Sequence, residues 1–424
     1  MASLDLQHAL RHLIAEGGSD LHLKVPSRPL IRLNGELVPI EGTEPLMSDD
    51  TAALLAQVLT DPERIAEFER ENEVDFAYAV KGLARFRVNA FRQRGAVTLV
   101  MRAIPVSIKT VDELSLPPAI RTLANEVRGL ILVTGTTGSG KSTTLAAIID
   151  HINRTHRKHI VTIEDPIEFL HSDVRSVINQ REVGMDTASF KRAMRRVLRQ
   201  DPDVILIGEM RDEETVQTAL SAAETGHLVL STLHTLDAAE AINRIIDFFP
   251  PHHQQQARAM IAGTLRGIVS QRLVPTADGR GRAATCEILL STGRVHDMIL
   301  DPARTGDLGE VISEGGFYGM QTFDQHLLEH LQSGRITMEA ALKASSSPHD
   351  FKLMVTAGGQ RGRPGRVPAG AAPTASEDTI ADRAPAAAVP PPAGVAGPPP
   401  PGFAATGGAG GGPPSPSGPP PSFS

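Results

Sequence analysis

The sequence predicts an α/β chain with two folded regions. The first is α+β over residues 1–104, and the second is a mostly parallel, helix-covered sheet over 119–355. Three observations carry this reading. Downstream of Leu130, short apolar runs alternate with helical stretches, the pattern that builds βαβ units and a sheet covered on both faces. Upstream of Ile104, short alternating strands and helices surround a tight-turn signal. Beyond Thr356 the composition shifts to Gly, Pro, Ala and Ser, with runs such as Pro390-Pro391-Pro392. That stretch, 356–424, has too few large apolar side chains to offset the entropy of ordering it. It is predicted as a disordered tail in preference to a Pro-rich docking segment.

Within the first region, 4–15 reads as a helix and 20–25 as a strand. Residues 29–40 form a hairpin about Asn34-Gly35, a pair that tolerates the positive φ of a two-residue turn. Helices over 50–59 and 62–71 and strands over 74–80, 84–92 and 96–103 complete a small sheet with helices on one face. Residues 105–118 read as a linker, because Pro105, Pro117 and Pro118 favour extended chain. In the second region the predicted strands are 130–134, 160–163, 204–207 and 227–232. The predicted helices are 142–152, 187–199, 213–224, 238–246, 322–332, 337–344 and 348–353.

Composition removes several function classes. The 424 residues include no Trp and two Tyr, so aromatic platforms for bases or sugars are not expected. A formal net charge of -7 is unlike a DNA-coating protein, and no nucleic-acid partner is expected. The single cysteine, Cys286, excludes an intramolecular disulfide framework and any multi-cysteine zinc site. The histidines, His8 and His12 or His252 and His253 among them, lack acidic or cysteine company at ligand spacing and read as ordinary surface or core residues. No stretch supplies the apolar length of a membrane span, and residues 1–16 lack the apolar run of a signal peptide, so a cytoplasmic protein is expected.

The chemistry concentrates at strand ends. Residues 135–143, Gly-Thr-Thr-Gly-Ser-Gly-Lys-Ser-Thr, match the P-loop pattern, preceded by an apolar strand and followed by an unbroken helix. In that setting the glycines let backbone N–H groups turn toward phosphates, Lys141 reaches the β- and γ-phosphates, and Ser142 ligates Mg²⁺. Residues 203–209 are an apolar strand ending in Glu209, the Walker B arrangement that manages Mg²⁺ or its water. Glu164 and Asp165 lie just beyond the second strand, where open α/β sheets bind ligands. His227 and His234 bracket a further strand, seven residues apart and so on opposite faces. His234, at the carboxyl end, is the candidate γ-phosphate sensor, while His227 reads equally well as structural. Arg192, Arg195, Arg196 and Arg199 line one helix face, more in keeping with a solvated or salt-bridged face than with nucleic acid.

The P-loop (135–143), the acidic box (162–169), the Walker B stretch (201–212) and the histidine box (226–235) resemble the four motifs of the secretion-superfamily ATPases. Their order and wording are similar to the PilT/PilU branch, the type IV pilus retraction (twitching motility) ATPases. Residues 18–23, 85–91 and 319–325 extend the resemblance over nearly all of 1–355. It implies a PAS-like N-terminal domain joined to a RecA-like ATPase domain, assembled as a homohexamer ring that hydrolyses ATP with Mg²⁺. It further implies a motor lying peripherally at the inner face of the cytoplasmic membrane, docked on an inner-membrane pilus platform protein, and it admits a second pilus ATPase as a partner.

Residue by residue, the resemblance puts Gly135, Thr136, Thr137, Gly138, Ser139, Gly140, Lys141, Ser142 and Thr143 on the nucleotide, with Ser142 and Glu209 at the metal. Glu164 falls where the attacking water is polarised, and Glu209 supports magnesium or acts as the base, so the base is one of these two. Arg87 and Arg102 fit the arginine-finger role, Arg85 and Arg92 being the alternatives. Extension and type II secretion ATPases usually carry a longer N-terminal region and a four-cysteine zinc element that Cys286 alone cannot build. Residues 293–304 depart from the Ala-Ile-Arg-Asn-Leu-Ile-Arg-type helix of PilT, which keeps a PilU-like accessory motor open. The other readings are a secretion or DNA-transfer motor on the same fold, and a nucleotide-binding regulator that does not hydrolyse.

Overall fold

A computed structural model describes residues 4–33, 35–105 and 107–357. Asn34 of the expected turn, Val106 of the expected linker and the tail from 358 onward lie outside the described residues.

The first region begins with helix α1 (Leu6–Ala15), capped by Asp5, whose side chain accepts the His8 N–H; Leu6, Leu10 and Leu13 recur on its buried face. Three strands follow, β1 (Asp20–Leu23), β2 (Leu30–Leu33) and β3 (Glu36–Pro39), then helices α2 (Ser48–Val58) and α3 (Pro62–Glu71). Helix α3 opens on the cap Asp61 with Pro62 in its first turn and stops at Asn72, whose φ of 62° ends the helix in left-handed backbone. Strands β4 (Glu73–Val80), β5 (Ala84–Gln93) and β6 (Ala96–Ile104) complete an antiparallel sheet of order β3-β2-β1-β6-β5-β4. Strand alternation sorts its two faces. Leu21, Leu23, Ile31, Phe86, Val88, Ala90, Leu99 and Met101 are buried in one core with the helices. The intervening positions put Asp20, Arg85, Arg87 and Arg102 on the opposite face, with Asp20 and Arg87 both beside Arg102 in the register.

The second region starts with α4 (Ala119–Ala124) and β7 (Gly129–Thr134), then α5 (Lys141–Thr155), β8 (His159–Glu164), β9 (Val177–Glu182), α6 (Phe190–Val197), β10 (Val204–Ile207), α7 (Glu213–Glu224), β11 (Leu228–Leu233) and α8 (Ala238–Asp247). Helix α9 (Gln254–Thr264) runs directly into β12 (Leu265–Pro275), which pairs with β13 (Arg282–Leu290). Helices α10 (Gly293–Leu300), α11 (Leu308–Glu314), α12 (Phe323–Gln332), α13 (Met338–Ala344) and α14 (Pro348–Thr356) close the region. The sheet order is β13-β12-β7-β11-β10-β8-β9, parallel except for the β12–β13 pair. Apolar cores lie on both faces, one built on α7–α9 and one on α4 and α5. Val111 and Leu116, in the segment read as linker, are buried in the second of these.

Three strands are present that the sequence reading does not contain. Strand β9 is a sheet edge carrying Asn179, Gln180 and Arg181, without the apolar run of an interior strand. Strand β12 follows α9 with no intervening loop, the change of period being marked only by Gly263 and Gly267, and β13 is found only by pairing with it. The helix expected over 187–199 is confined to Phe190–Val197, because the Ser189 side chain caps it by accepting the Arg192 N–H.

Candidate active site

The carboxyl ends of β7, β8, β10 and β11 converge on one cleft, where a parallel sheet offers loops and helix N-termini to a ligand. Strand β7 is buried along its whole length and delivers loop 135–140 to Lys141, the first residue of α5. Two glycines are required there. A Cβ on Gly135 (φ 140°) would meet the Gln271 carbonyl oxygen at 2.4 Å, and one on Gly140 (φ 89°) would meet Gln271 Nε2 at 2.7 Å.

Gln271, reaching across from β12, is the brace behind this loop. Its Nε2 donates to the Ser139 carbonyl at 2.7 Å, and its Oε1 accepts from Thr144 Oγ1 at 2.7 Å. Loop and first helical turn are therefore tied to a neighbouring strand. Lys141 Nζ lies back along the loop, donating to the carbonyls of Gly135 (2.8 Å) and Thr136 (3.0 Å). Burial lowers the Lys141 pKa, and the nearby Glu209 and Glu168 carboxylates oppose that shift.

The cleft, about 500 Å³, is lined on one side by Thr137, Gly138, Gly140, Lys141, Ser142 and Thr143, and across from them by Glu164, Asp165, Glu168, Glu209 and His234. Gly135 and Ser139 are buried on the inner side of the loop, whereas Thr136 is exposed and does not line the cleft. The Ser139 hydroxyl is buried without a partner among the described residues. Glu164, last residue of β8, accepts from Thr162 Oγ1 (2.6 Å) and Gln180 Nε2 (3.2 Å). Burial raises its pKa, and those hydrogen bonds only partly counter the rise. Glu209 is gripped by Arg211, with Nε at 2.9 Å and an Nη at 2.8 Å, and faces His234 Nε2 at 3.4 Å. His171 also lines the cleft, its pKa lowered by burial to about 4.

His227 stands apart from this group. Its ring nitrogen lies 2.9 Å from the Ala222 carbonyl, at the far end of β11, where it closes the end of α7. Arg195 pairs with Glu214 of α7, as does Lys191, so part of the basic stripe is neutralised within the chain.

The four arginines separate clearly. Arg87 lines a second cleft of about 270 Å³, bounded by Asp75, Asp165 and Glu182, and its Nε lies 3.8 Å from Asp75. Arg85 reaches Glu182 at 3.3 Å, and its Nε is buried without a partner among the described residues. Arg102 is held by Asp20 at 2.7 Å and lines neither cleft, while Arg92 stacks on the Phe68 ring 5.1 Å away. Asp165 and Pro166 border both clefts, so the acidic box lies between the nucleotide cleft and the arginine-bearing face.

A loop that needs glycine, a buried lysine and facing carboxylates suit a polyphosphate with a hard divalent cation. The Ser142 hydroxyl and the surrounding carboxylate oxygens are the donor types Mg²⁺ prefers. The model of the type II/IV secretion system protein family matches residues 3–308. The chain belongs to this family, in its PilT/PilU branch. PilT of Pseudomonas aeruginosa, a type IV pilus retraction ATPase, is 42% identical over 348 residues, 82% of this chain and all of the relative. PilU, a type IV pilus ATPase of the same organism, is 42% identical over 360 residues, covering 84% of this chain and 93% of its own length. A crystal structure of the pilus retraction motor PilT with bound ADP superposes with a TM-score of 0.76 at 42% identity, over 83% of this chain and all of that one. This member of the PilT/PilU branch is accordingly an ATPase with the fold of that motor. Among its described residues no helix is long and apolar enough to cross a membrane.

Several site residues of this ATPase escaped the sequence reading. Arg211 lies within the Walker B stretch, two residues past Glu209, and that spacing is the available signal. Gln271 and Gln180 gave none. Gln271 is 132 residues from the Ser139 carbonyl it holds, and both glutamines sit on strands that were not predicted.

Proposed function

We propose that the chain is an ATP-hydrolysing motor for type IV pilus retraction, in which the second region (119–355, RecA-like) binds nucleotide and the first (1–104, PAS-like) completes the site. The observation carrying this is that Glu164, Glu209 and His234 come from three different strands, yet face Lys141 and Ser142 across one cleft. Phosphoryl transfer asks for positioning and charge stabilisation more than covalent chemistry, and this cleft supplies both. Lys141 leaves its loop carbonyls to meet the β- and γ-phosphates of ATP. Glu164, with its basicity raised by burial, accepts a proton from the attacking water, and His234, beside Glu209, senses the γ-phosphate. Ser142 and Glu209 would hold Mg²⁺, which neutralises charge on the phosphates when bound. Arg87 is the favoured finger, since it already lines the cleft next to Asp165.

The working assembly is a homohexamer ring at the inner face of the cytoplasmic membrane, docked on the platform protein of the pilus. A second reading, an accessory motor acting beside another pilus ATPase, draws on the match to PilU at the same identity as PilT. Surface pili and twitching are compared in the native host with and without Lys141→Ala. Excess pili that fail to retract are expected; a bald cell would mean extension and overturn the proposal, and unchanged pili would favour the accessory reading.

A further inference from the structure

The P-loop and the histidine box are joined through the sheet by side chains that belong to neither motif. Thr134, Ser270 and Glu287 are direct neighbours across β7, β12 and β13. Thr134 and Ser270 are wholly buried and Glu287 is 9% exposed. Thr134 Oγ1 donates to Ser270 Oγ at 3.1 Å, Glu287 is the cross-strand partner of Ser270 on the same face of the sheet, and Glu287 Oε1 accepts the Ala238 N–H at 3.0 Å. The two ends of this line of neighbouring side chains are what matter. Thr134 immediately precedes Gly135 of the P-loop, and Ala238 is the first residue of α8, four residues past His234.

Glu287 is a costly residue to place there. Among the described residues it has no ion-pair partner. Asp237 at the α8 N-terminus repels it, and Arg272 attracts it only from a distance, its own guanidinium being committed to the Ala344 carbonyl and the Phe323 ring. A seam needed only for stability would be better filled by a neutral side chain. A carboxylate, in contrast, has acceptor capacity in two directions, and this one accepts the Ala238 N–H while lying beside the Ser270 hydroxyl.

We infer that Glu287 is a positioning residue for ATP hydrolysis, which through Ser270 and Thr134 on one side and the α8 N-terminus on the other holds the P-loop strand and the His234 loop as one unit. This rests on the ATPase reading above. Steady-state ATP turnover of the purified full chain, with binding of a fluorescent ADP analogue, tests it. Glu287→Gln keeps the shape and removes one acceptor, and its turnover is expected to fall about tenfold with KM for ATP within about twofold of the parent. Ser270→Ala is expected to lower turnover in the same direction, and the double variant to be no worse than Glu287→Gln alone, because both interrupt one path. Parent-like turnover of Glu287→Gln, additive losses, or equal losses of binding and turnover would each overturn the inference. A parent chain that fails to turn over ATP would instead sink the ATPase reading itself.

Discussion

The ATPase cleft and the arginine-bearing face of the N-terminal sheet both gather charged groups, yet they hold them differently. In the cleft, Lys141, Glu164 and Glu209 each have at least two partners and come from elements locked into a buried sheet. On the N-terminal face, Arg87 and Arg102 are long side chains, 48% and 68% exposed, each paired with one carboxylate. Preorganised groups bind and orient, whereas lightly tethered arginines can be exchanged between a resting carboxylate and a phosphate. In the proposed mechanism the contrast corresponds to standing affinity in one region and switchable rate enhancement in the other.

The largest break in that comparison comes from Lys141→Ala, which is expected to lower ATP turnover more than about 100-fold and to weaken nucleotide binding together with it. Titration with a fluorescent nucleotide alongside a turnover assay checks both. The arginines sharpen the contrast. Arg87→Ala is expected to lower kcat by about 100-fold with nucleotide affinity little changed, because a finger acts on transition-state charge. Arg102→Ala should lose less, and Arg92→Ala, whose side chain stacks on Phe68, should turn over normally. A loss of affinity in Arg87→Ala equal to its loss of rate would erase the distinction between the two regions.

Smaller effects are expected at the braces. Gln271→Ala leaves the Thr144 hydroxyl and the Ser139 carbonyl unpaired, which should lower stability by about 1–3 kcal/mol and loosen nucleotide binding; calorimetry and titration report the two. Glu287 adds a pH signature. Burial pushes its pKa up to about 7 from an ordinary value of 4.5. A raised acid pKa means the unfolded chain ionises first, so the group carries no penalty below about pH 4.5. The penalty grows between there and pH 7 and stays constant above. Glu287→Gln should therefore gain stability relative to the parent across that window, by about 3 kcal/mol at most, read from denaturant unfolding at pH 5 and pH 8.

How much of this was legible in sequence follows the same division. Strands β7, β8, β10 and β11 are apolar runs ending in motifs, so their positions and the cleft residues at their tips could be read directly. The braces could not. Gln271 and Glu287 act through cross-strand register on β12 and β13, and register between distant segments has no local pattern. The arginines were an intermediate case. The family resemblance pointed to these arginines as a group, but only the folded sheet puts Arg85 and Arg87 on one face, Asp20 beside Arg102 and Phe68 under Arg92.

The most direct test of the central claim, that the cleft binds ATP and its carboxylates then drive hydrolysis, is the pairing of ATP affinity with turnover in Glu209→Gln. The expected result is ATP bound about as tightly as by the parent and turnover reduced by about 100-fold or more, since the shape is kept while a cleft carboxylate proposed to act at the phosphates loses its charge. Near-parent turnover would contradict it and would remove Glu209 from the catalytic assembly.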